Sequence, residues 1–130
     1  MARVLVVDDD PVQREELVRS LVRAGHQVAE ATEANDALRA VLDDPPDLVV
    51  LDIRLPDAHG VQVAGAIRAV ARTRYMPIIL VTAFHDAAAE VDPKRFGAEC
   101  VLTKPVDESR LLAAMEQCLS RPVDEAQHEL

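Results

Sequence analysis

Four short apolar runs along this chain each stop on a polar residue. Val4-Leu5-Val6-Val7 runs into Asp8-Asp9-Asp10, and Leu48-Val49-Val50-Leu51 into Asp52. Ile78-Ile79-Leu80-Val81 runs into Thr82, and Cys100-Val101-Leu102-Thr103 into Lys104-Pro105. Apolar runs of this length without internal alternation predict buried strands. Gln27 to Ala31 predicts one more, short strand.

Between the strands the period becomes helical. Asp10-Pro11 offers an N-cap followed by a first-turn proline. Val12, Leu17, Val18, Leu21 and Val22 then recur at helical spacing up to a stop at Gly25. Ala34, Ala37, Leu38, Val41 and Leu42 predict a second helix, ended by Asp43-Asp44-Pro45-Pro46. After a Pro- and Gly-bearing loop from Ile53 to Gly60, a third helix carries Val63, Ala64, Ile67, Val70 and Ala71. From Ala83 to Ala98 the signals conflict: Ala87-Ala88-Ala89-Glu90 favours helix, but Pro93 breaks one begun before it. A short, kinked or late-starting fourth helix is expected there. Leu111, Leu112, Met115, Cys118 and Leu119 mark a fifth, with Asp107 or Ser109 near its cap.

Strands alternating with helices predict an α/β fold, a five-stranded parallel sheet with helices on both faces and right-handed crossovers. In such sheets ligands bind outside the carboxyl ends of the strands. The polar stops should therefore meet at one edge, as an acidic pocket with a hydroxyl and an ammonium beside it.

The chain's 130 residues suffice for one domain with a real core. Residues 1–120 are expected to form it, with 121–130 as a polar tail or the start of a linker. Aromatic residues are only 2%, so the core must be aliphatic. A net charge of -9 argues against nucleic-acid binding, which needs a basic surface. Cys100 and Cys118 fall on apolar positions and read as reduced core thiols, which places the protein in the cytoplasm. Met1 to Val7 is too short for a signal segment, and no stretch approaches a membrane-spanning length.

The pocket's chemistry follows from crowding. Two like charges 4 Å apart repel by roughly 4 kcal/mol at an effective dielectric near 20. Asp8, Asp9 and Asp52 should then either take up protons or hold a cation. An all-oxygen donor set points to a hard ion, Mg²⁺ with Mn²⁺ as its substitute, which would also coordinate phosphate oxygens. A carboxylate can itself act as a phosphoryl acceptor. Lys104 and the Thr82 hydroxyl are placed to neutralise and orient the transferred group.

These residues make the chain resemble the receiver domains of bacterial two-component response regulators, over roughly Arg3 to Leu119. The resemblance rests on the acid pair Asp8-Asp9, Leu51-Asp52 with Pro56 and Gly60 after it, Thr82-Ala83, Gly97-Ala98 and Lys104-Pro105. It implies a flavodoxin-like sheet of order 2-1-3-4-5 and Asp52 as the residue phosphorylated by a histidine kinase or histidine phosphotransfer protein. It further implies Mg²⁺ held by Asp9, Asp52, the main-chain carbonyl of Arg54 and, through water, Asp8. Thr82 and Lys104 would sense the phosphoryl group. The first helix and the Pro105-Val106 loop would receive the kinase, and the face of helix 4, strand 5 and helix 5 would serve a homodimer.

The chain departs from that family at several points. Many receivers carry an aromatic switch residue where Val101 stands here. Phe84 is the nearest aromatic substitute, although it reads more simply as a loop anchor. Pro93 disturbs the fourth helix, which is expected to reorganise on phosphorylation. Arg54 and Phe84 flank the phosphoryl site and are expected to alter the lifetime of the acyl phosphate.

Plainer readings apply elsewhere. Asp10 reads as an N-cap and not a third ligand, and Asp57 as a turn residue. His26, His59, His85 and His128 form no metal-ligand spacing and read as exposed loop histidines, with His85 nearest the pocket mouth. Arg14, Glu15, Glu16 and Arg19 read as the solvated face of the first helix. Two other functions compete. One is a receiver-like binding module that is never phosphorylated. The other is a haloacid-dehalogenase-like phosphohydrolase, whose Asp-x-Asp-x-Val pattern Asp8 to Val12 fits. That second reading lacks an acidic motif after Lys104, and Asp52 comes too early for it.

Overall fold

The structure is a computed structural model and describes residues 1–83 and 97–120. Its strands are β1 (Arg3–Val7), β2 (Gln27–Ala31), β3 (Leu48–Asp52), β4 (Ile78–Thr82) and β5 (Cys100–Thr103). Its helices are α1 (Pro11–Arg23), α2 (Ala34–Asp43), α3 (Gly60–Ala69) and α4 (Glu108–Ser120), the last being the helix expected as the fifth. The expected helix between Ala83 and Ala98, with Phe84, His85 and Pro93, lies outside the described residues, as do His128 and the tail 121–130.

All five strands are parallel, in the order β2-β1-β3-β4-β5, which is the flavodoxin-like arrangement. The central strands are apolar throughout because both faces are covered. Side chains alternate between two cores. Leu5, Val7, Val49, Leu51, Ile78 and Leu80 face α2 and α3, meeting Ala37, Val41, Val63 and Ile67. Val4, Val6, Leu48, Val50, Ile79 and Val81 face α1 and α4, meeting Leu17, Leu21, Leu111 and Met115. Each fully buried aliphatic side chain contributes roughly 1.5–3 kcal/mol.

Asp10 caps α1 as expected, its Oδ1 accepting from the Val12 amide at 3.0 Å. The helix ends where Gly25 adopts φ +92°, a conformation glycine reaches without strain. Asp107 caps α4, accepting from the Ser109 amide at 3.0 Å.

The packing corrects the helical faces at their margins. Val12 and Val22 are 65% and 55% exposed, because each lies about 140° around the helix from Leu17 at ~100° per residue. Leu119 is likewise exposed at the rim of α4. Helix α3 stops at Ala69: Val70 turns to an extended conformation, and Ala71–Thr73 form a single 3-10 turn. Arg14 does not belong to the solvated face; it folds back onto the end of β1.

Two histidines also have local partners. His26 Nδ1 accepts from the Ala2 amide at 3.0 Å and is half-buried. The exposed His59 caps α3, accepting from the Val61 amide while Gln62 accepts from the His59 amide.

Candidate functional site

The strand register brings the polar stops together. Val7 pairs with Leu51, Asp52 with Val81, and Thr82 with Thr103. Asp8, Asp52, Thr82 and Lys104 therefore emerge side by side at the carboxyl edge of β1, β3, β4 and β5. The Lys104 amide continues the ladder by donating to the Thr82 carbonyl at 2.8 Å.

Asp8, Asp9 and Asp52 each offer a carboxylate oxygen, and these oxygens lie within 4.8 Å of one another. Asp8 is fully buried and Asp52 nearly so, while Asp9 is exposed. Lys104 Nζ stands 3.0 Å from Asp52 Oδ2 and 3.6 Å from Asp8 Oδ2. Asp52 Oδ1 accepts from the Arg54 amide at 3.1 Å, and Asp8 Oδ1 from the Asp10 amide at 3.0 Å. Both buried carboxylates are thus aimed by backbone donors in the following turn.

Burial pushes the Asp8 carboxyl up to about 6, with the Asp10 amide pulling the other way. The Asp52 charge adds to the rise and Lys104 offsets part of it. Burial also disfavours the Lys104 charge, yet the hydrogen bond and charge of Asp52, with Asp8 behind it, outweigh that and hold its pKa above the ordinary lysine value.

Three carboxylates face one ammonium, so the cluster has an excess of negative charge that a divalent ion matches. The donor set is all oxygen, which suits a hard cation. Among the described residues, Asp8 Oδ2 and Thr82 Oγ1 are buried without a hydrogen-bond partner. Buried polar atoms in folded proteins are rarely left so, and both orphans belong to this cluster. The residues therefore fit a cation together with an oxygen-rich ligand.

The loop from Ile53 to Gly60 leads from this edge into α3. A Cβ on Gly60 would lie 2.8 Å from both the Asp52 carbonyl oxygen and Ile53 Cα, so only glycine lets α3 start this close to β3. The Gly60 amide donates to the Ile53 carbonyl at 2.6 Å. Asp57 is more than a turn residue: its carboxylate accepts from the amides of Ala34 at 2.7 Å and Asn35 at 3.1 Å, capping α2 from across the chain. Those two donors hold its pKa below the usual carboxylate range.

Of the other sequence candidates, Asp10 stays at its cap and does not join the oxygen cluster. The side chain of Arg54 is exposed. Val101 is partly buried and packs on the α2/α3 core. Cys100 is half-buried and Cys118 buried, and no disulfide joins them. Sequence reasoning missed Arg14, whose Nη1 donates to the Asp8 carbonyl at 2.9 Å while its Nε contacts Glu30 at 3.0 Å. Its place one turn after the Asp10 cap was the available signal.

Comparison with known proteins agrees with this geometry. The response regulator receiver domain pattern matches residues 4–116. PilH of Pseudomonas aeruginosa is 38% identical over 120 residues, covering 92% of this chain and 99% of PilH. The transcriptional regulatory protein AfsQ1 of Streptomyces coelicolor is 39% identical over 93% of this chain but only 52% of its own length, so the chain spans about half of that regulator. The receiver domain of the sensor histidine kinase PA1611 from Pseudomonas aeruginosa, solved with magnesium coordinated in its active-site cleft, superposes with a TM-score of 0.85 at 25% identity, covering 92% of this chain and 98% of that one. This chain belongs to the receiver-domain family of response regulators, the phosphoacceptor signalling modules of two-component systems.

Proposed function

We propose that Asp52 accepts a phosphoryl group from the phosphohistidine of a histidine kinase or histidine phosphotransfer protein, in a reaction that needs Mg²⁺ or, in its place, Mn²⁺. The observation that carries this reading is the buried Asp8–Asp52 pair with Lys104 against it and the orphaned Thr82 hydroxyl alongside. Asp8, Asp9, Asp52 and the Arg54 carbonyl would hold the ion. When bound, the ion supplies charge neutralisation to the carboxylates and to the incoming phosphoryl oxygens.

An Asp52 carboxylate oxygen attacks phosphorus. A P–O bond forms, the P–N bond breaks, and its electron pair returns to the imidazole nitrogen of the donor. Such transfer is mostly positioning and charge neutralisation. The Arg54 amide fixes the Asp52 rotamer, and Lys104 is placed to bind a phosphoryl oxygen. The Thr82 hydroxyl, without a partner among the described residues, would donate to another. The domain thereby changes its own state and turns over no external substrate.

The groove between α1 and α4, lined by Leu17, Ser20, Val106 and Leu111, is the expected docking surface for the donor. Exposed Val12 extends the apolar part of α1 next to it. A second copy of the chain would pair through β5 and α4 together with the segment before β5. Among the described residues no helix is long and apolar enough to cross a membrane, which accords with a proposed cytoplasmic location.

Incubation with acetyl phosphate and Mg²⁺ tests the reading. The wild-type chain should gain about 80 Da, the mass of the phosphoryl group that such modification adds. Asp52→Asn should gain nothing. A gain that persists in Asp52→Asn, or none in wild type, would contradict it.

A further inference from the structure

We propose that Arg14 is a positioning residue for the cation site: it fixes the Asp8–Asp9 peptide, and thereby aims the Asp9 carboxylate, from the first turn of α1. The inference rests on the cation site described above and adds to it a residue that contacts neither ion nor phosphoryl group.

The Asp8 main chain is held through both of its flanking peptides. Its N–H donates to the Ala31 carbonyl of β2 at 3.1 Å, and its C=O accepts from Arg14 Nη1 at 2.9 Å. Because a peptide bond is planar, fixing the Asp8 carbonyl also fixes the Asp9 nitrogen and the direction in which the Asp9 chain leaves. The Asp8 side chain is anchored separately through the Asp10 amide and has no need of Arg14. The Asp9 side chain is exposed and, among the described residues, makes no hydrogen bond or ion pair, so it depends on its backbone for direction.

Arg14 is itself immobilised. Its side chain is only 19% exposed, and its Nε is held by Glu30 at 3.0 Å, a residue on the edge strand β2. The Arg14 amide donates to the Asp10 carbonyl, so the stem rises from the first turn beside the site. One guanidinium thus ties α1, the end of β1 and β2 together, a task suited to its rigid fork of donors.

The sign of the electrostatics makes the idea testable. A guanidinium close to a cation site repels the ion, so loss of its charge alone would tighten Mg²⁺ binding. Loss of positioning would weaken it. Outer groups that orient metal ligands typically change affinity by about 10–100-fold when removed.

The measurement is a Mg²⁺ titration of the full chain followed by ¹H–¹⁵N correlation spectra, which report folding and affinity together. Arg14→Met keeps the apolar stem and removes the donors; it should bind Mg²⁺ roughly tenfold more weakly than wild type. Equal or tighter binding overturns the proposal. If that variant fails to fold, Glu30→Ala and Glu30→Gln decide the matter. Both lose the same charge, but only glutamine keeps an acceptor for Nε. Weaker binding by Glu30→Ala than by Glu30→Gln supports positioning, and equal affinities overturn it. A wild-type chain with no saturable Mg²⁺ binding overturns the cation site as well, whereas normal wild-type binding with an unaffected Arg14→Met removes this inference alone.

Discussion

Lys104 Nζ stands 3.0 Å from Oδ2 of Asp52, joining the loop after β5 to the end of β3. The ammonium restrains the carboxylate and, on the proposed function, would meet the incoming phosphoryl oxygens. Lys104→Met should leave Mg²⁺ binding intact or tighter, since a repelling charge has gone. Removal of a charged stabiliser of this kind should slow phosphorylation by about a hundredfold. Stopped-flow phosphorylation with a small phosphodonor, alongside a Mg²⁺ titration, separates the two effects.

Asp8 gives the site a pH signature. Its carboxyl titrates near 6 when metal-free, against 3.8 in an unstrained setting. A raised acid pKa means that the folded state binds a proton the unfolded chain has already released. The metal-free domain should therefore lose stability as pH rises from 3.8 to about 6 and lose no more from this group above that. Asp8→Asn should flatten the slope, and saturating Mg²⁺ should reverse it. Urea midpoints across that pH range provide the check.

Gly60 tests how closely the site is built. A Cβ there would meet backbone, the Asp52 carbonyl and Ile53 Cα, and not a yielding side chain. Gly60→Ala should destabilise the domain by about 1–3 kcal/mol through overpacking. Because the displaced atoms carry Asp52, phosphorylation should slow as well. Denaturant melts and labelling rates on the same preparation would show whether the two losses travel together.

Asp57 holds the loop after β3 to the start of α2. Asp57→Ala leaves two helix N-terminal donors without their carboxylate, and the thermal midpoint should fall by roughly 4 °C. The contribution depends on an ionised carboxylate whose pKa is depressed. It should be present at neutral pH and vanish as pH falls through the folded-state value. Thermal scans of wild type and variant should therefore converge in acid.

The elements that could be read from the chain are those whose signal is local. Each apolar run ends on the residue that sits at the sheet edge, and parallel strands carry that end to the same side. Asp8, Asp52, Thr82 and Lys104 followed from that rule together with the family resemblance. Arg14 and Asp57 did not, because their partners are set by tertiary approach: Arg14 meets Glu30 and Asp57 meets Ala34, with no period in the sequence to mark either pair. Val12 and Val22 were misplaced for a related reason, since helical spacing names a stripe but not how much of it the sheet covers.

The proposed function requires that Asp52 become an acyl phosphate. Reduction of the phosphorylated chain with borohydride converts such a residue to homoserine, which peptide sequencing by mass spectrometry locates. Homoserine at position 52, appearing only when phosphodonor and Mg²⁺ are both present, is the expected result. Homoserine at Asp8 or Asp9, or none anywhere under conditions that keep the chain folded, would contradict the account.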